Sequence, residues 1–357
     1  MKKDGVLEGK RVLVTGGTGS LGKVLIGRLL SGELGTPKKI VVFSRDEAKQ
    51  HAMRMAYLNR AAATDEVIYR RVEQQVEFRI GDVRDFHALS AALSGADVVF
   101  NAAALKQVPT CEYFPFEAVQ TNIGGPQNIV RAIREHGLTV ETVIGISTDK
   151  ACKPVNVMGM TKAIQERLFV QANLDCPSTR FVCVRYGNVL ASRGSVLPLF
   201  LDQIRRGGPV TITTADMTRF LLSLDEAVDT VFAALRGARR GETYIPRVPS
   251  AKVTDVADVL IDGRPIQVSF TGIRPGEKTH EILISEEERF RTADRGDYYA
   301  ILPILPELRV AGESGALLAD EYSSAHHVLG REGVAHLIRK RRLMLEDVPA
   351  GTDEILR

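Results

Sequence analysis

Short apolar runs alternate with amphipathic segments over the first half of the chain, from Lys10 to about Arg185. The apolar runs, each typical of a buried strand, are RVLVTGG, KKIVVFS, VEFRIGD, ADVVFNAAA, ETVIGIS and RFVCVRYGN. Segments between them, such as LGKVLIGRLL and GPQNIVRAIREHG, carry apolar residues at helical spacing. Repeated strand-helix alternation predicts an α/β fold with a Rossmann-like, doubly wound parallel sheet.

A glycine-rich loop, TGGTGSLG, follows the first predicted strand directly and opens a helix. Glycines at this position let the backbone turn tightly and approach a pyrophosphate at the positive end of the helix. A dinucleotide site is therefore predicted here, with contacts from Gly16, Thr18, Gly19, Ser20, Leu21 and Gly22.

The end of the second strand indicates which dinucleotide binds. An acidic residue there would accept a hydrogen bond from a free ribose 2′-hydroxyl, but this chain has Ser44 and Arg45, which suit a 2′-phosphate. NADP is therefore favoured over NAD, although Asp46, one residue later, keeps NAD open. After the third strand, Asp82 and Val83 are expected near the adenine.

The alternation ends beyond about Ser192, where polar loops rich in Arg, Gly and Pro appear, including ASRGS, TADMTRF and TGIRPGEK. We predict a smaller C-terminal substrate-binding lobe over the carboxyl edge of the sheet, where ligands of such folds bind. The expected division is an NADP-binding domain in residues 1–190, and mainly the substrate lobe with a C-terminal helical segment in residues 191–357.

The charge balance of 47 basic and 44 acidic residues, a net +3, does not favour nucleic acid as a partner. The basic cluster RKRR at 339–342 is interpreted as a solvated helix face or subunit contact. No apolar run is long enough for a signal peptide or a membrane span. The four cysteines lack any metal-binding or secreted spacing, so reduced thiols, a cytoplasmic location and no metal are expected.

The segment STDKACKPVNVMGMTKAIQERL has the layout of a nicotinamide-dependent active site, a Ser or Thr followed by a Y-x-x-x-K helix. Met158 stands where the tyrosine would be, and Lys162 keeps the lysine position. A thioether cannot exchange a proton, so either the enzyme is inactive or the acid-base chemistry lies elsewhere. Asp149 and Lys150, just upstream at the end of a strand, are the ionisable candidates.

Taken together, these motifs resemble the extended short-chain dehydrogenase/reductases, and more closely their sugar-nucleotide branch of polysaccharide-biosynthesis proteins. That branch includes UDP-N-acetylglucosamine 4,6-dehydratases, some of which also invert C5, so either stereochemical outcome stays open. Members of the family have either Tyr or Met at the position of Met158. The matching segments run in family order from about residue 8 to 300: TGGTGSLG, FSRDEAKQ, GDVRD, NAAALKQVPTCE, STDKACKPVNVMGMTK, RYGNVLASRGSVLPLF, MTRFLLSLDEAVD and GIRPGEKTHEIL.

The resemblance implies roles for further residues. Cofactor contacts are expected at Ala102, Ala103, Ala104 and Asn122, with Lys162 on the nicotinamide ribose. Contacts to a UDP-sugar are expected at Lys106, Asn188, Arg193, Arg219, Arg274 and Glu277. Arginine suits this task because its planar guanidinium binds a phosphate through two parallel hydrogen bonds. A homo-oligomer, dimeric or larger, is also expected.

A 4,6-dehydration requires a base for the C5 proton and an acid for the C6 hydroxyl. Lys150, expected to be desolvated and neutral, is the predicted C5 base, and Asp149 the predicted acid. Deprotonation of the C4 hydroxyl is assigned to Asp149 or Thr148, and Met158 is expected to pack beside the sugar. The cofactor ends this reaction as it began, so NADP is expected to stay tightly bound.

Two other functions stay open at this stage. A UDP-hexose 4-epimerase would use the same C4 oxidation without a C5 base, and a regulator would bind NADP without turnover. The segment LNRAAATDEVIYRRVEQQVEF between the second helix and third strand is longer than the family leads us to expect, and is interpreted as a surface insertion or oligomer contact.

Overall fold

The computed structural model describes residues 5–62, 74–190, 195–310, 312 and 318–348. Its strands are β1 (Arg11–Thr15), β2 (Lys39–Ser44), β3 (Val76–Ile80), β4 (Val98–Asn101), β5 (Thr142–Ile146), β6 (Arg180–Val184), β7 (Val210–Ile212), β8 (Thr218–Phe220), β9 (Thr243–Pro246), β10 (Ser250–Lys252), β11 (Val268–Phe270), β12 (Ile282–Ile284), β13 (Thr292–Asp294), β14 (Tyr298–Ile301), β15 (Tyr322–Ser323) and β16 (Val328–Leu329).

Its α-helices are α1 (Ser20–Leu30), α2 (Glu47–Ala62), α3 (Phe86–Leu93), α4 (Val108–Tyr113), α5 (Pro115–Val119), α6 (Gly125–His136), α7 (Val157–Asp175), α8 (Val196–Arg205), α9 (Leu224–Gly237), α10 (Val253–Ile261) and α11 (Arg331–Lys340). A π-helical turn, Gln120–Gly124, joins α5 to α6. Single 3₁₀ turns cover Asp149–Ala151, Arg289–Arg291 and Pro306–Leu308. None of the helices in the described ranges is long and apolar enough to cross a bilayer.

The main sheet has nine strands in the order β13-β14-β9-β6-β5-β4-β1-β2-β3. From β3 to β9 every neighbouring pair is parallel, and β14 and β13 add an antiparallel edge. The strand order reverses beside β1, which lies between β2 and β4. This is the doubly wound arrangement, so the predicted Rossmann-like α/β fold is confirmed.

Alternate residues of β1 enter separate cores on the two faces of the sheet. Val12 and Val14 pack in the cluster that also contains Leu25 of α1 and Phe232 of α9. Leu13 packs in the opposite cluster, with residues of α3, α6 and α7. Because both faces are covered by helices, the strands are almost continuously apolar, which is why they could be recognised in the sequence.

The chain after residue 191 contributes to two regions. Helices α8, α10 and α11 form a separate apolar cluster, in which Leu201, Leu260 and Ile338 are buried. Strands β9, β14 and β13 instead return to the main sheet, and α9 packs in the core beside α1. The seventh parallel strand, β9, was not predicted, and the expected division at residues 190 and 191 stays a prediction.

Only the ends of the long segment between α2 and β3 belong to the described part of the chain, because residues 63–73 lie outside it. Its interpretation as a surface insertion or oligomer contact therefore stays a prediction.

A glycine sets the distance between α7 and the turn that precedes it. A Cβ added at Gly159 would lie 2.1 Å from the carbonyl oxygen of Lys150, so the helix can approach this turn only because the side chain is absent.

We expect Gly159→Ala to lower the free energy of unfolding by about 1–3 kcal/mol, because the backbone must move to admit the methyl group. Gly27→Ala is the matched control: Gly27 lies inside α1 with nothing within 4 Å of an added Cβ. That change should stabilise the protein by roughly 0.5–1 kcal/mol. Urea titrations of both variants measure the difference; equal midpoints would contradict the role given to Gly159.

Candidate active site

A cavity of about 780 Å³ opens at the carboxyl ends of the central parallel strands and extends under the loops that follow β6 and β11. This volume suits a drug-sized or larger ligand. Most residues expected to bind cofactor or substrate line it: Gly16, Thr18, Gly19, Ser20, Leu21, Gly22, Ser44, Arg45, Asp82, Val83, Ala102, Ala103, Ala104, Lys106, Thr148, Asp149, Lys150, Met158, Lys162, Asn188, Arg219, Arg274 and Glu277. Arg193 lies outside the described residues.

The glycine loop between β1 and α1 is shaped for close backbone approach. Gly16 has φ +67°, and a Cβ added there would lie 2.7 Å from the backbone nitrogen of Ala103. A Cβ at Gly22 would lie 2.6 Å from Gly17. The loop therefore needs glycine at both positions, and it presents the N-terminal end of α1 to the cavity, where a pyrophosphate could bind.

Two basic side chains, Arg45 and Lys49, line the cavity at the end of β2. The Arg45 guanidinium lies 3.5 Å from the Asp82 carboxylate. Asp46 is already engaged: its Oδ2 lies 2.6 Å from Lys49 Nζ, and its Oδ1 accepts a hydrogen bond from the Lys49 backbone nitrogen. Lys49 thereby lowers the pKa of Asp46. This end of the cavity therefore presents two cationic groups that could bind a phosphate, next to the Asp46 carboxylate.

Asn122 does not line the cavity, although it was expected to contact the cofactor. Its side chain is fully buried, and its amide bonds both the backbone nitrogen and the carbonyl oxygen of Leu105, at 2.8 and 2.9 Å. Its Nδ2 also donates to Thr161 Oγ1. With these partners, Asn122 shapes the loop after β4 and fastens it to α7.

Thr148, Asp149 and Lys150 lie on the turn that follows β5 and form one hydrogen-bonded group. Thr148 Oγ1 donates to Asp149 Oδ1 at 2.8 Å, and Lys150 Nζ donates to the same oxygen at 3.1 Å. Lys150 Nζ also donates to Glu281 Oε1 at 3.0 Å, across the cavity wall. The lysine is thus held between two buried carboxylates, one from each part of the chain.

The neutral Lys150 that we expected is not what this geometry favours. Desolvation lowers its pKa, but the charges of Asp149 and Glu281 outweigh that effect, and the net result is a raised pKa. Lys150 is therefore an ammonium group here, which corrects the expectation. Burial, followed by the charge of Glu281, raises the pKa of Asp149.

Met158 is 4% exposed and lines the cavity with an apolar surface. It packs with Cys111 and Ala118, beside partly buried Leu105 and Val108. The Met158 thioether therefore provides apolar contact area and cannot transfer a proton.

Lys162, one helical turn further along α7, is 5% exposed and also lines the cavity, so it is not a surface helix residue. Its ammonium nitrogen donates to the Ile146 carbonyl at 2.9 Å and to Gln165 Oε1 at 2.8 Å. Burial lowers the pKa of Lys162 to about 8, which places its charge change close to neutral pH.

A buried ionic network lies beneath these residues. Arg185, at the end of β6, is 2% exposed and contacts Glu166 of α7 at 2.6 Å and Glu288 at 2.7 Å. Ser147 donates to Glu166, and Arg185 also donates to the Leu283 carbonyl. Burial raises the pKa of Glu288, but Arg185 overcomes this effect and lowers it to about 2.

The second part of the chain supplies polar groups to the far end of the cavity. Arg274 is exposed there, and Glu277 accepts a hydrogen bond from Thr213 Oγ1 at 3.2 Å. Arg219 is largely buried and donates to the carbonyls of Thr218, Thr279 and Lys278.

Nearer the sheet, Asn188 Oδ1 is buried with no hydrogen-bond partner. These groups form a polar wall that could bind a charged ligand. Within the described ranges, no cluster of three or more His, Cys, Asp or Glu side chains could hold a metal, and all four cysteines are buried free thiols.

Residues 12–303 match the family model described as polysaccharide biosynthesis protein. The chain belongs to this family. It is 40% identical over 349 residues to a protein of Rickettsia canadensis named UDP-glucose 4-epimerase, covering 95% of this chain and 94% of that protein.

Two solved structures illustrate the similarity in three dimensions. Pen from Bacillus thuringiensis is 32% identical, with a TM-score of 0.83 over 95% of this chain and 99% of that one. The dTDP-glucose 4,6-dehydratase DesIV of Streptomyces venezuelae, a double mutant solved with NAD, is 19% identical, with a TM-score of 0.63 over 75% and 86%. At this identity, DesIV supports the fold alone.

The sequence did not identify Glu281, Tyr186 or Lys49 as part of this family member's site, yet all three line the cavity. Glu281 belongs to the segment GIRPGEKTHEIL, but 131 positions separate it from Lys150 and no local pattern indicates that the two meet. Tyr186 is buried beside the turn after β5, where its carbonyl accepts from the Asp149 backbone nitrogen.

Arg185→Met should lower the free energy of unfolding by about 3–5 kcal/mol, because two buried carboxylates would lose their cation. Arg206→Met is the control, since Arg206 forms an exposed i,i+4 pair with Asp202 and should change stability by at most about 0.5 kcal/mol.

The pH dependence of unfolding provides a second test of this network. Because the pKa of Glu288 is depressed to about 2, its contribution is complete above the unfolded value and is lost as pH falls towards 2. The free energy of unfolding, measured between neutral and acid pH, should fall by this contribution in the wild type and by less in Arg185→Met. If the free energy of unfolding depended on pH equally in both proteins, the pairing of Arg185 with Glu288 would be excluded as a source of stability.

Proposed function

We propose that this chain is a UDP-N-acetylglucosamine 4,6-dehydratase that uses NADP and belongs to surface-polysaccharide or modified-sugar synthesis. The observation that carries the proposal is the Asp149 and Lys150 pair, which lines the same cavity as the glycine loop. A C4 oxidation alone needs no second ionisable group at this turn, whereas a dehydration needs both an acid and a base.

Binding follows from the cavity lining. The glycine loop and the N-terminal end of α1 would hold the pyrophosphate of the dinucleotide, Arg45 and Lys49 the 2′-phosphate, and Lys162 the nicotinamide ribose. Arg219, Arg274 and Asn188 would contact the UDP diphosphate and Glu277 its ribose, with Lys106 facing the sugar or its phosphates and Arg193 a further predicted diphosphate contact. A homo-oligomer stays a prediction.

The nicotinamide, held through its ribose by Lys162, would supply the hydride acceptor for C4 of the sugar and the hydride donor for C6. Asp149 would accept the C4 hydroxyl proton, directly or through Thr148, and pass it to the C6 oxygen, which leaves as water. Its raised pKa suits a carboxyl that must hold a proton between these steps.

Lys150 would accept the C5 proton, whose bonding electrons move towards the C4 ketone, and return a proton to C5. Since Lys150 is an ammonium group in this structure, it must first release a proton, so turnover should rise with pH on the acid side of its optimum.

A UDP-hexose 4-epimerase is the second candidate, and two relatives named UDP-glucose 4-epimerase, 40% and 42% identical, favour it. It would use the same cavity and the same C4 oxidation, and would leave C5 untouched. The fate of the C5 hydrogen therefore distinguishes the two activities.

The decisive experiment incubates the protein with UDP-N-acetylglucosamine in deuterated water and follows mass and proton NMR. We expect loss of one water, a C6 methyl group and a deuteron at C5. Lys150→Met should slow C5 exchange by about 10²–10⁴-fold while nucleotide binding is retained. A C4 epimer of unchanged mass without deuterium would establish the epimerase instead, and full turnover by Lys150→Met would remove Lys150 as the base.

Arg45→Ala should weaken NADP binding by about 10–100-fold and leave NAD binding nearly unchanged, since only NADP carries the 2′-phosphate. Arg54→Ala is the control, because Arg54 is exposed on α2 and does not line the cavity. Isothermal titration with both dinucleotides measures the ratio. Equal losses for the two would argue against NADP as the cofactor.

A further inference from the structure

Glu281 reaches the active site from the second part of the chain. It precedes β12, is 2% exposed, and places Oε1 3.0 Å from Lys150 Nζ. Its other carboxylate oxygen, Oε2, is buried and has no hydrogen-bond partner. A buried carboxylate with one unsatisfied oxygen is unfavourable for folding, and its position beside a candidate base points to a role in the chemistry.

The backbone of Glu281 is held on both sides. Its nitrogen donates to Ser324 Oγ at 2.9 Å, and its carbonyl accepts from the Ser324 backbone nitrogen at 2.8 Å. The preceding residue, His280, bonds Thr218 Oγ1 through Nδ1. These contacts fix where the carboxylate lies, independently of its bond to Lys150.

Among the described residues, few charged groups face the pair formed by Lys150 and Glu281. Asp149 Oδ1 lies 3.1 Å from Lys150 Nζ, and Arg219 Nε lies 3.8 Å from Glu281 Oε1. The charge of Lys278 also acts on the Asp149 and Glu281 carboxylates at longer range. Lys150 is thus held in place by one carboxylate on its own turn and by a second one across the cavity wall.

We propose that Glu281 is a positioning residue for Lys150: it holds the ammonium group beside Asp149 and sets the pH at which Lys150 can accept the C5 proton. The C5 step rests on the proposed function, whereas the effect of Glu281 on Lys150 does not.

The direction of the effect follows from charge. A negative neighbour stabilises the ammonium form, and Glu281 is one of the two groups that raise the pKa of Lys150 against the opposing effect of burial. Glutamine keeps the shape and an oxygen that can accept from Lys150, but removes the negative charge. Lys150 should then release its proton at lower pH.

The first test measures Lys150 itself, without substrate. The Lys150 signal in protein labelled with ¹³Cε-lysine is assigned by its loss in Lys150→Met and followed as pH rises. In Glu281→Gln it should titrate about 1–3 pH units lower than in the wild type. In Glu281→Asp, which keeps the charge, it should remain close to the wild type.

Glu277→Gln is the matched control. Glu277 is a carboxylate of the same segment and cavity, but it contacts Thr213 rather than Lys150. This variant should leave the Lys150 titration unchanged. An unshifted titration in a folded Glu281→Gln protein, or an equal shift in Glu277→Gln, would overturn the proposal.

The second test follows C5 deuterium exchange in UDP-N-acetylglucosamine against pH. The acid limb of the Glu281→Gln profile should move to lower pH, while a purely structural role would lower the rate equally at every pH. A shifted Lys150 titration in Glu281→Gln, together with no turnover by the wild type, would support the action of Glu281 on Lys150 and reject the dehydratase. Turnover with an unmoved acid limb and titration would sustain the dehydratase and reject the role of Glu281.

Discussion

The arrangement of the candidate active site depends on the ion pairs of the buried Arg185 guanidinium. The guanidinium binds one carboxylate on α7 and another next to the 3₁₀ turn at Arg289–Arg291, so it joins the helix that carries Met158 and Lys162 to the second part of the chain. An unpaired charge at this depth would be strongly destabilising, and the network is favourable only when all its members are in place. The geometry above it is therefore set by a requirement for charge neutralisation.

The cavity lies where these two parts of the chain meet, and Met158 contributes an apolar surface to it. The ionisable side chains of Asp149 and Lys150 lie on the turn after β5, whose backbone is fixed by the carbonyl of Tyr186 and by the close approach of Gly159. Lys150 on that turn is placed between carboxylates from both parts. A rigid backbone thereby supports ionisable groups whose pKa values depend on each other.

Much of the fold was predictable because a sheet covered on both faces leaves a simple pattern in the chain. All six predicted strands are present as β1 to β6, and the helices predicted at LGKVLIGRLL and GPQNIVRAIREHG are α1 and α6. The strand β9 was missed because it lies outside the regular alternation and joins the sheet through a pairing distant in sequence. Local patterns contain little information about such pairings.

The sequence by itself determined the doubly wound sheet and the glycine loop, since these depend on short-range patterns of apolar residues and glycine, while the family resemblance added further residues that line the cavity. Only the tertiary structure decided the charge state of Lys150, the contact with Glu281 and the position of Asn122 behind the cavity wall. A pKa and a hydrogen bond depend on distances between groups that are far apart in the chain, and folding alone brings those groups together.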